Sequence, residues 1–233
     1  MKLRNPFSEL TKGEWLLYGG SMGVILLSFL LGSVMDPLVL VASLLGATAL
    51  IFVAKGDPFG QIVTVVFALF YGWISFRFRY YGEMITYLCM TSPIAIASAV
   101  AWYKNPYEQG KAEVKVRKIT PGIHAILWSL TALVTFAFYF ILRYFDTPNL
   151  VTSTVSIATS FSASALTMLR SPYYALAYAA NDVVLIVLWT LATIADPAYL
   201  PMILCFVIFL ANALYGFFNW QRMQKRQEEK KHA

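Results

Sequence analysis

Charge is scarce in this 233-residue chain. Charged residues make up 13% of it and hydrophobic residues 59%, whereas a soluble domain holds about 25% charged and roughly 45–50% apolar residues. Such an excess of apolar residues is too large for one soluble core to bury. The formal net charge is +6, but the basic residues lie between and after the apolar runs. This pattern indicates contacts with lipid headgroups and argues against a nucleic-acid partner.

Residues that carry chemistry are also few. The two cysteines, Cys89 and Cys205, each lie deep in an apolar run, and His124 and His232 are far apart. The sequence holds no metal-ligand spacing, disulfide framework, Ser/His/Asp set or phosphate-binding glycine loop. It therefore predicts no metal, no cofactor and no enzyme activity.

Long apolar runs dominate what is present, and runs of about 18 or more residues are typical of membrane spans. Proline stands at or near the start of most runs, which fits the first turn of a helix, where a missing N–H is tolerated. The predicted fold class is an all-α membrane protein with about eight transmembrane helices in a lipid bilayer. We place the spans at 15–32, 37–54, 58–77, 82–103, 121–144, 148–168, 171–193 and 197–220.

The basic residues predict the orientation of these spans. With the N-terminus in the cytoplasm, Arg77, Arg79 and Arg143 are the only Lys or Arg residues in outside loops. All others lie in inside segments, as the positive-inside rule requires. Both termini and the 104–120 loop are therefore expected in the cytoplasm.

The two halves of the chain echo one another. Trp73 and Trp189 are 116 residues apart, and Cys89 and Cys205 share this offset. If spans 2–4 and 6–8 are repeats, the fifth span links them and they run parallel, an arrangement in which transporters bind substrate near the midplane. We divide the chain accordingly into an N-terminal segment with an extra helix, a three-helix bundle, a loop with the linker helix, a second three-helix bundle and a tail: 1–36, 37–103, 104–144, 145–220 and 221–233.

Asp182 is an acidic residue at the middle of the seventh span, where a charge costs at least ~2.5 kcal/mol on insertion scales. It is the only acidic residue that we expect deep in a span, and with Asn181 beside it the position is typical of a ligand site. Trp189 shares its helical face and Tyr178 lies one turn earlier, so aromatic rings near the carboxylate could hold a flat cationic ring. The alternative is a structural hydrogen bond to a neighbouring helix.

Two further spans carry polar faces that suit a small polar ligand. Steps of three and four place the amides and phenol of the eighth span on one face, although such a face also packs helices together. In the sixth span, hydroxyl residues at 153, 156, 160, 164 and 167 share a face for which helix packing is favoured. The candidate substrate contacts outside the seventh span are Gln61, Tyr71, Trp73, Asn212, Tyr215 and Asn219.

Short motifs, taken in order along the chain, carry a family resemblance. They are Val53-Ala54-Lys55-Gly56, Tyr71-Gly72-Trp73-Ile74-Ser75, Tyr81-Gly82-Glu83, Trp102-Tyr103-Lys104-Asn105, Glu113-Val114-Lys115-Val116-Arg117, Arg170-Ser171-Pro172, Asn181-Asp182 and Asn212-x-x-Tyr215-Gly216-x-x-Asn219-Trp220. From about residue 37 to 220 the chain resembles the Pnu-type bacterial vitamin transporters, whose best-known members carry nicotinamide riboside.

The resemblance implies a fold related to the SWEET sugar exporters, with two parallel three-helix bundles and a linker helix. It also implies a homotrimer in the bacterial inner membrane and facilitated diffusion of nicotinamide riboside, with substrate contacts from Asn181 or Asp182, Asn212, Tyr215 and Asn219. Residues 173–178 hold tyrosines where the riboside carriers have a tryptophan pair, so thiamine, riboflavin or a deoxynucleoside are alternative substrates. Two other classes stay open: a membrane subunit that binds a partner protein, and a proton-coupled carrier that uses Asp182.

Overall fold

The computed structural model describes residues 5–31, 36–77 and 79–232, and its regular elements in these ranges are helices. The α-helices are α1 Lys12–Leu31, α2 Pro37–Ala54, α3 Pro58–Arg77, α4 Tyr81–Ile85, α5 Ser92–Tyr103, α6 Pro121–Tyr144, α7 Leu150–Met168, α8 Tyr174–Ala195 and α9 Leu200–His232. Short 3₁₀ helices at Pro6–Glu9 and Pro197–Tyr199 precede α1 and α9. A π-helical segment, Thr86–Thr91, joins α4 to α5.

Eight helical segments in the described ranges are long and apolar enough to cross a membrane. The predicted fold class, an all-α membrane protein, is therefore confirmed. One of the eight, from Tyr81 to Tyr103, consists of α4, the π segment and α5. The predicted end of the first span, at residue 32, lies outside the described residues, as do Lys2 and Arg4.

Two turns, between α2 and α3 and between α7 and α8, have the same backbone structure. Gly56 in the first turn has a φ of 72°, and Arg170 in the second has a φ of 60°. The N–H groups of Asp57 and Ser171 each donate, at 3.0 Å, to the carbonyl five residues earlier. These bonds define a Schellman motif, which ends a helix with a residue in the left-handed conformation.

The helices pack into one bundle with apolar side chains on its outside. α2 packs against α3 and α9, α8 packs against α7 and α9, and α5 packs against α3 and α7. α6 contacts mainly α7, and its Leu133 and Phe136 are 63% and 65% exposed. Such side chains suit lipid tails, which are as apolar as they are.

The 104–120 loop is tied to the α2–α3 turn and to the α7–α8 turn. Val114 N–H donates to Gly56 O and Arg117 N–H donates to Arg170 O, each at 3.0 Å. The loop therefore joins the α2–α3 turn to the α7–α8 turn at one end of the bundle.

The last helix continues well past the predicted end of its span. The sequence predicts a solvated polar tail after residue 220, whereas α9 extends to His232 because its polar side chains contact the loop. Gln227 Oε1 accepts a hydrogen bond from Val116 N–H at 2.8 Å, and Arg226 forms an ion pair with Glu113. These contacts stabilise the last part of α9, where the sequence is no longer apolar and the helix would otherwise end.

Candidate functional site

A cavity of about 60 Å³ lies near the middle of the bundle, between α2, α3, the π segment, α8 and α9. The rings of Phe67, Phe206 and Phe209 form part of its apolar wall. Gly46 on α2 lets the Phe209 ring approach the helix closely, since a Cβ at this position would lie 2.3 Å from the ring. A space of this size holds a few water molecules.

Asp182 and Asn181 supply the polar wall on the α8 side. Both side chains are buried, with 4% and 3% of their surface exposed. The Oδ2 atom of Asp182 has no hydrogen-bond partner among the described residues. A buried carboxylate oxygen without a partner is costly, so its place beside a cavity points to a ligand that completes it.

Asn181 is held from behind by two hydroxyls of α7. Thr159 Oγ1 donates to Asn181 Oδ1 at 2.8 Å, and Ser160 Oγ donates to the same atom at 2.9 Å. Ser164 Oγ lies 3.3 Å from the hydroxyl of Tyr178, another residue of the cavity wall. The hydroxyl face of α7 therefore packs against α8, in line with the helix-packing interpretation of this face. Through these contacts it supports the cavity wall.

Gln61 and Thr64 complete the polar lining from α3. Gln61 is 3% exposed, and the Thr64 hydroxyl donates to the carbonyl one turn earlier at 2.9 Å. The structure thus brings Gln61 together with Tyr178, Asn181 and Asp182 around one cavity.

Asp182 gives this cavity its electrostatic character. Among the described residues that line it, none is a Lys, Arg or His, and Asp182 is the one acidic residue. In an interior of low dielectric constant, such a group favours a cation or a hydrogen-bond donor over an anion.

A sequence model of the family described as nicotinamide mononucleotide transporter matches residues 36–222. The chain belongs to this family. It is therefore a membrane transporter and not an enzyme.

Two relatives are described as nicotinamide riboside transporter PnuC. The protein from Neisseria mucosa is 25% identical over 190 residues, which cover 80% of this chain and 72% of the relative. The protein from Haemophilus influenzae is 24% identical over 190 residues, which cover 81% of each. The crystal structure of a vitamin B3 transporter PnuC has a TM-score of 0.82 to this chain at 23% identity, covers 95% of both chains, and shows a shared fold.

In this member of the transporter family, the polar face of α9 contacts other helices. Asn212 Nδ2 donates to Ser21 Oγ of α1 at 3.0 Å, and Tyr215 OH donates to Glu14 Oε1 of α1 at 3.0 Å. Asn219 Nδ2 donates to the last carbonyl of α2 at 2.8 Å. The sequence placed these residues on one face, but the structure does not bring that face to the cavity that Asp182 lines.

Tyr71, Trp73 and Trp189 also lie away from the cavity. The Tyr71 ring lies 4.3 Å from the ring of Tyr87, a cavity residue, and so supports the wall from behind. Trp189 is buried against Tyr80, with 5.3 Å between ring centroids. Trp73 is 56% exposed on the outer side of α3, which suits a lipid contact.

The π segment supplies two cavity residues that sequence reasoning missed, Tyr87 and Thr91. Tyr87 and Thr91 are four residues apart and share a helical face, but none of the predicted site residues lies in this span. Pro93 is the local signal, since it has no N–H to donate to the carbonyl four residues earlier.

Glu83 is another buried carboxylate in the bundle, and it lies near one end of its span. It is 3% exposed and is the third residue of the span Tyr81–Tyr103, whereas Asp182 is the ninth residue of α8. Glu83 Oε1 accepts a hydrogen bond from Ser156 Oγ at 3.2 Å. Unlike Asp182, Glu83 has a donor in α7 and does not line the cavity.

Proposed function

We propose that this chain carries nicotinamide riboside across the bacterial inner membrane by facilitated diffusion. The observation that carries the proposal is the Oδ2 atom of Asp182, which has no hydrogen-bond partner in the described part of the chain and lies beside aromatic rings in a cavity of the membrane-spanning bundle. The nicotinamide ring of the riboside is a flat cation. Such a ring is attracted both to a carboxylate and to the faces of Tyr87 and Tyr178.

The charge of the cavity favours the riboside over the mononucleotide. A phosphate group carries about −1.5 to −2 charges at neutral pH, and proteins bind it mostly through Arg, Lys or helix N-termini. The described cavity lining contains Asp182 and no basic residue, so a phosphate would be repelled there. The relatives from Neisseria mucosa and Haemophilus influenzae are likewise described as riboside transporters.

Two parallel three-helix units of the SWEET-like arrangement frame the cavity. The first unit is 37–103 and the second is 145–220, with the linker helix in 104–144. The segments 1–36, with its extra helix, and 221–233 lie outside the two units.

The matching positions of the two units support this arrangement. Gly56 and Arg170 occupy the same place in the α2–α3 turn and the α7–α8 turn. Counted from these turns, Thr64 in α3 corresponds to Tyr178 in α8, and both line the cavity. A site at the interface of two parallel repeats is the arrangement seen in transporters of this type.

Transport requires that the cavity open to each side of the membrane in turn. A buried aromatic cluster around Trp102 and Trp220 flanks it towards the α2–α3 and α7–α8 turns, and a second cluster around Tyr71 and Trp189 flanks it on the other side. A ligand of vitamin size needs a pocket of about 300 Å³ or more, so the riboside binds when these clusters and the cavity rings move apart.

The protein works as a homotrimer with both termini and the 104–120 loop in the cytoplasm. The distribution of basic residues supports the orientation, because Arg77, Arg79 and Arg143 are then the only Lys or Arg residues in outside loops. The exposed apolar surface of α6, with Leu133 and Phe136, offers room for contacts between copies.

Binding to the purified protein tests the substrate. We expect heat of binding with nicotinamide riboside and none with the mononucleotide at the same concentration, with thiamine, riboflavin and a deoxynucleoside as comparison ligands. Asp182→Asn should weaken riboside binding, whereas Glu229→Gln, an exposed carboxyl far along α9, should not. Binding of the mononucleotide as tight as that of the riboside would contradict the charge argument.

Cysteine labelling in cells tests the orientation. In a Cys89→Ser background, an impermeant maleimide should label Tyr144→Cys in intact cells, since Tyr144 is 84% exposed at the end of α6. It should label Gln109→Cys, in the 104–120 loop, only after permeabilisation. The reverse pattern would invert the proposed orientation.

A further inference from the structure

Asn181 can turn either of two groups to the cavity, an acceptor oxygen or a donor amide. Its Oδ1 atom accepts hydrogen bonds from Thr159 and Ser160 on the side of α7. We propose that Ser160, assisted by Thr159, positions the Asn181 amide so that its N–H₂ group faces the cavity and selects a ligand with a carbonyl oxygen at that point. This inference rests on the proposed transport of nicotinamide riboside and specifies how the site recognises the carboxamide.

The two hydroxyls do not constrain Asn181 equally. Thr159 Oγ1 also lies 3.1 Å from the carbonyl oxygens of Val155 and Ser156, so it keeps an acceptor if the amide turns over. Ser160 Oγ has Asn181 Oδ1 as its hydrogen-bond acceptor in the described structure. A turned amide would present N–H groups to Ser160 and leave the hydroxyl proton without an acceptor, which is costly for a buried group. Ser160 therefore holds the orientation.

Asp182 turns the opposite kind of group to the same cavity. Its Oδ2 atom, which has no partner among the described residues, accepts hydrogen bonds when ionised. An N–H₂ donor from Asn181 beside this acceptor matches a primary carboxamide, whose oxygen accepts and whose N–H₂ donates. A carboxylate in place of the carboxamide would meet Asp182 with like charge and be disfavoured.

The test combines Ser160→Ala with removal of the carboxamide from the ligand. The two probes are nicotinamide riboside and pyridinium riboside, which has the same charged ring and ribose but no carboxamide. Titration calorimetry of the full chain should show nicotinamide riboside binding weakened about tenfold by Ser160→Ala, the effect of losing one hydrogen bond to a buried group. Binding of pyridinium riboside should not change, because the variant and the ligand change remove the same interaction.

Three companion variants separate positioning from folding. Ser160→Thr retains the hydroxyl and should restore the preference for the carboxamide. Thr159→Val should weaken nicotinamide riboside binding less than Ser160→Ala does. Ser162→Ala is the matched control, since the Ser162 hydroxyl donates to a carbonyl of its own helix at 2.7 Å, and it should bind both probes as the wild type does.

The outcomes distinguish this inference from the proposed function. If Ser160→Ala weakens both probes equally, with or without a lower melting temperature, the hydroxyl only supports the fold and the inference is overturned, while riboside transport stands. If the wild-type chain binds neither riboside, both proposals are overturned.

Discussion

Trp102 and Trp220 make equivalent hydrogen bonds, each to a helix from the other half of the chain. The indole N–H of Trp102 in α5 donates to Thr167 O in α7 at 2.9 Å, and that of Trp220 in α9 donates to Val53 O in α2 at 3.0 Å. Their ring centroids are 5.3 Å apart. Because each tryptophan bonds to a helix from the other half of the chain, the contact has the form of a two-fold dimer interface.

Replacing either tryptophan of this pair with phenylalanine should lower stability. A lost hydrogen bond from a buried donor costs about 1–3 kcal/mol. Both carbonyls keep a backbone N–H, from Arg170 to Thr167 O at 2.9 Å and from Gly56 to Val53 O at 3.0 Å. We expect the smaller loss for Trp220→Phe, since Val53 O also keeps the Tyr174 hydroxyl at 3.3 Å. Thermal unfolding in one detergent measures both, with Trp73→Phe, at a lipid-exposed position, as the control. Equal melting temperatures for all three variants would contradict the structural role.

Asp182→Asn should weaken riboside binding without lowering the stability of the protein. The change replaces a buried carboxyl, whose Oδ2 atom has no partner among the described residues, with an amide of the same shape, so the ligand-free protein should melt at the same or a higher temperature. Affinity for nicotinamide riboside should fall about tenfold or more, because the cationic ring loses its counter-charge. Glu14→Gln should lower the melting temperature and leave riboside affinity unchanged, since it breaks an ion pair with Lys55 at 2.9 Å, far from the cavity. A large loss of stability in Asp182→Asn would make this carboxyl a structural group.

Asn212→Leu should lower the melting temperature and leave ligand affinity near the wild-type value. Asn212 Nδ2 donates to Ser21 Oγ in α1, and the leucine would leave this buried hydroxyl without a donor, at a cost of about 1–3 kcal/mol. Calorimetry and thermal unfolding on one preparation measure both properties. If binding disappears in a variant that still melts normally, α9 contributes to the substrate site through a state that differs from this one.

Uptake should follow the substrate gradient and need no proton gradient. Among the described residues that line the cavity, Asp182 is the one acidic group, and Glu83 lies outside that lining. Counterflow of labelled riboside into proteoliposomes should keep its initial rate when an uncoupler is added. A clear fall in the initial rate would favour the proton-coupled carrier instead.

Hydropathy and proline made most span boundaries predictable. The predicted spans at 37–54, 58–77 and 121–144 coincide with α2, α3 and α6, each of which begins at a proline. The thickness of the hydrocarbon layer sets the length of the apolar run, and the proline marks its first turn. Where the apolar run ends but other contacts continue the helix, as in α9, this reasoning stops too early.

The site was less accessible to sequence reasoning than the spans. Periodicity placed Asn212, Tyr215 and Asn219 on one face, but which neighbour that face meets depends on packing between distant segments. Tyr87 was missed because the neighbour that its helical face meets likewise depends on packing between distant segments. Asp182 was found because a carboxylate inside a span is rare enough to signal a role by itself.

α9 is long enough to connect the cavity wall with the 104–120 loop, and Trp220 lies about midway between the two. An α-helix rises 1.5 Å per residue, so the ring-bearing Phe209 and the ion-paired Lys230 lie at about 16 Å and about 15 Å from Trp220 on opposite sides. If α9 tilted as a rigid rod about Trp220, Lys230 and Phe209 would move by similar distances in opposite directions. The 104–120 loop, which holds Lys230 through Glu108, is thereby mechanically connected to the wall of a cavity deep within the bundle.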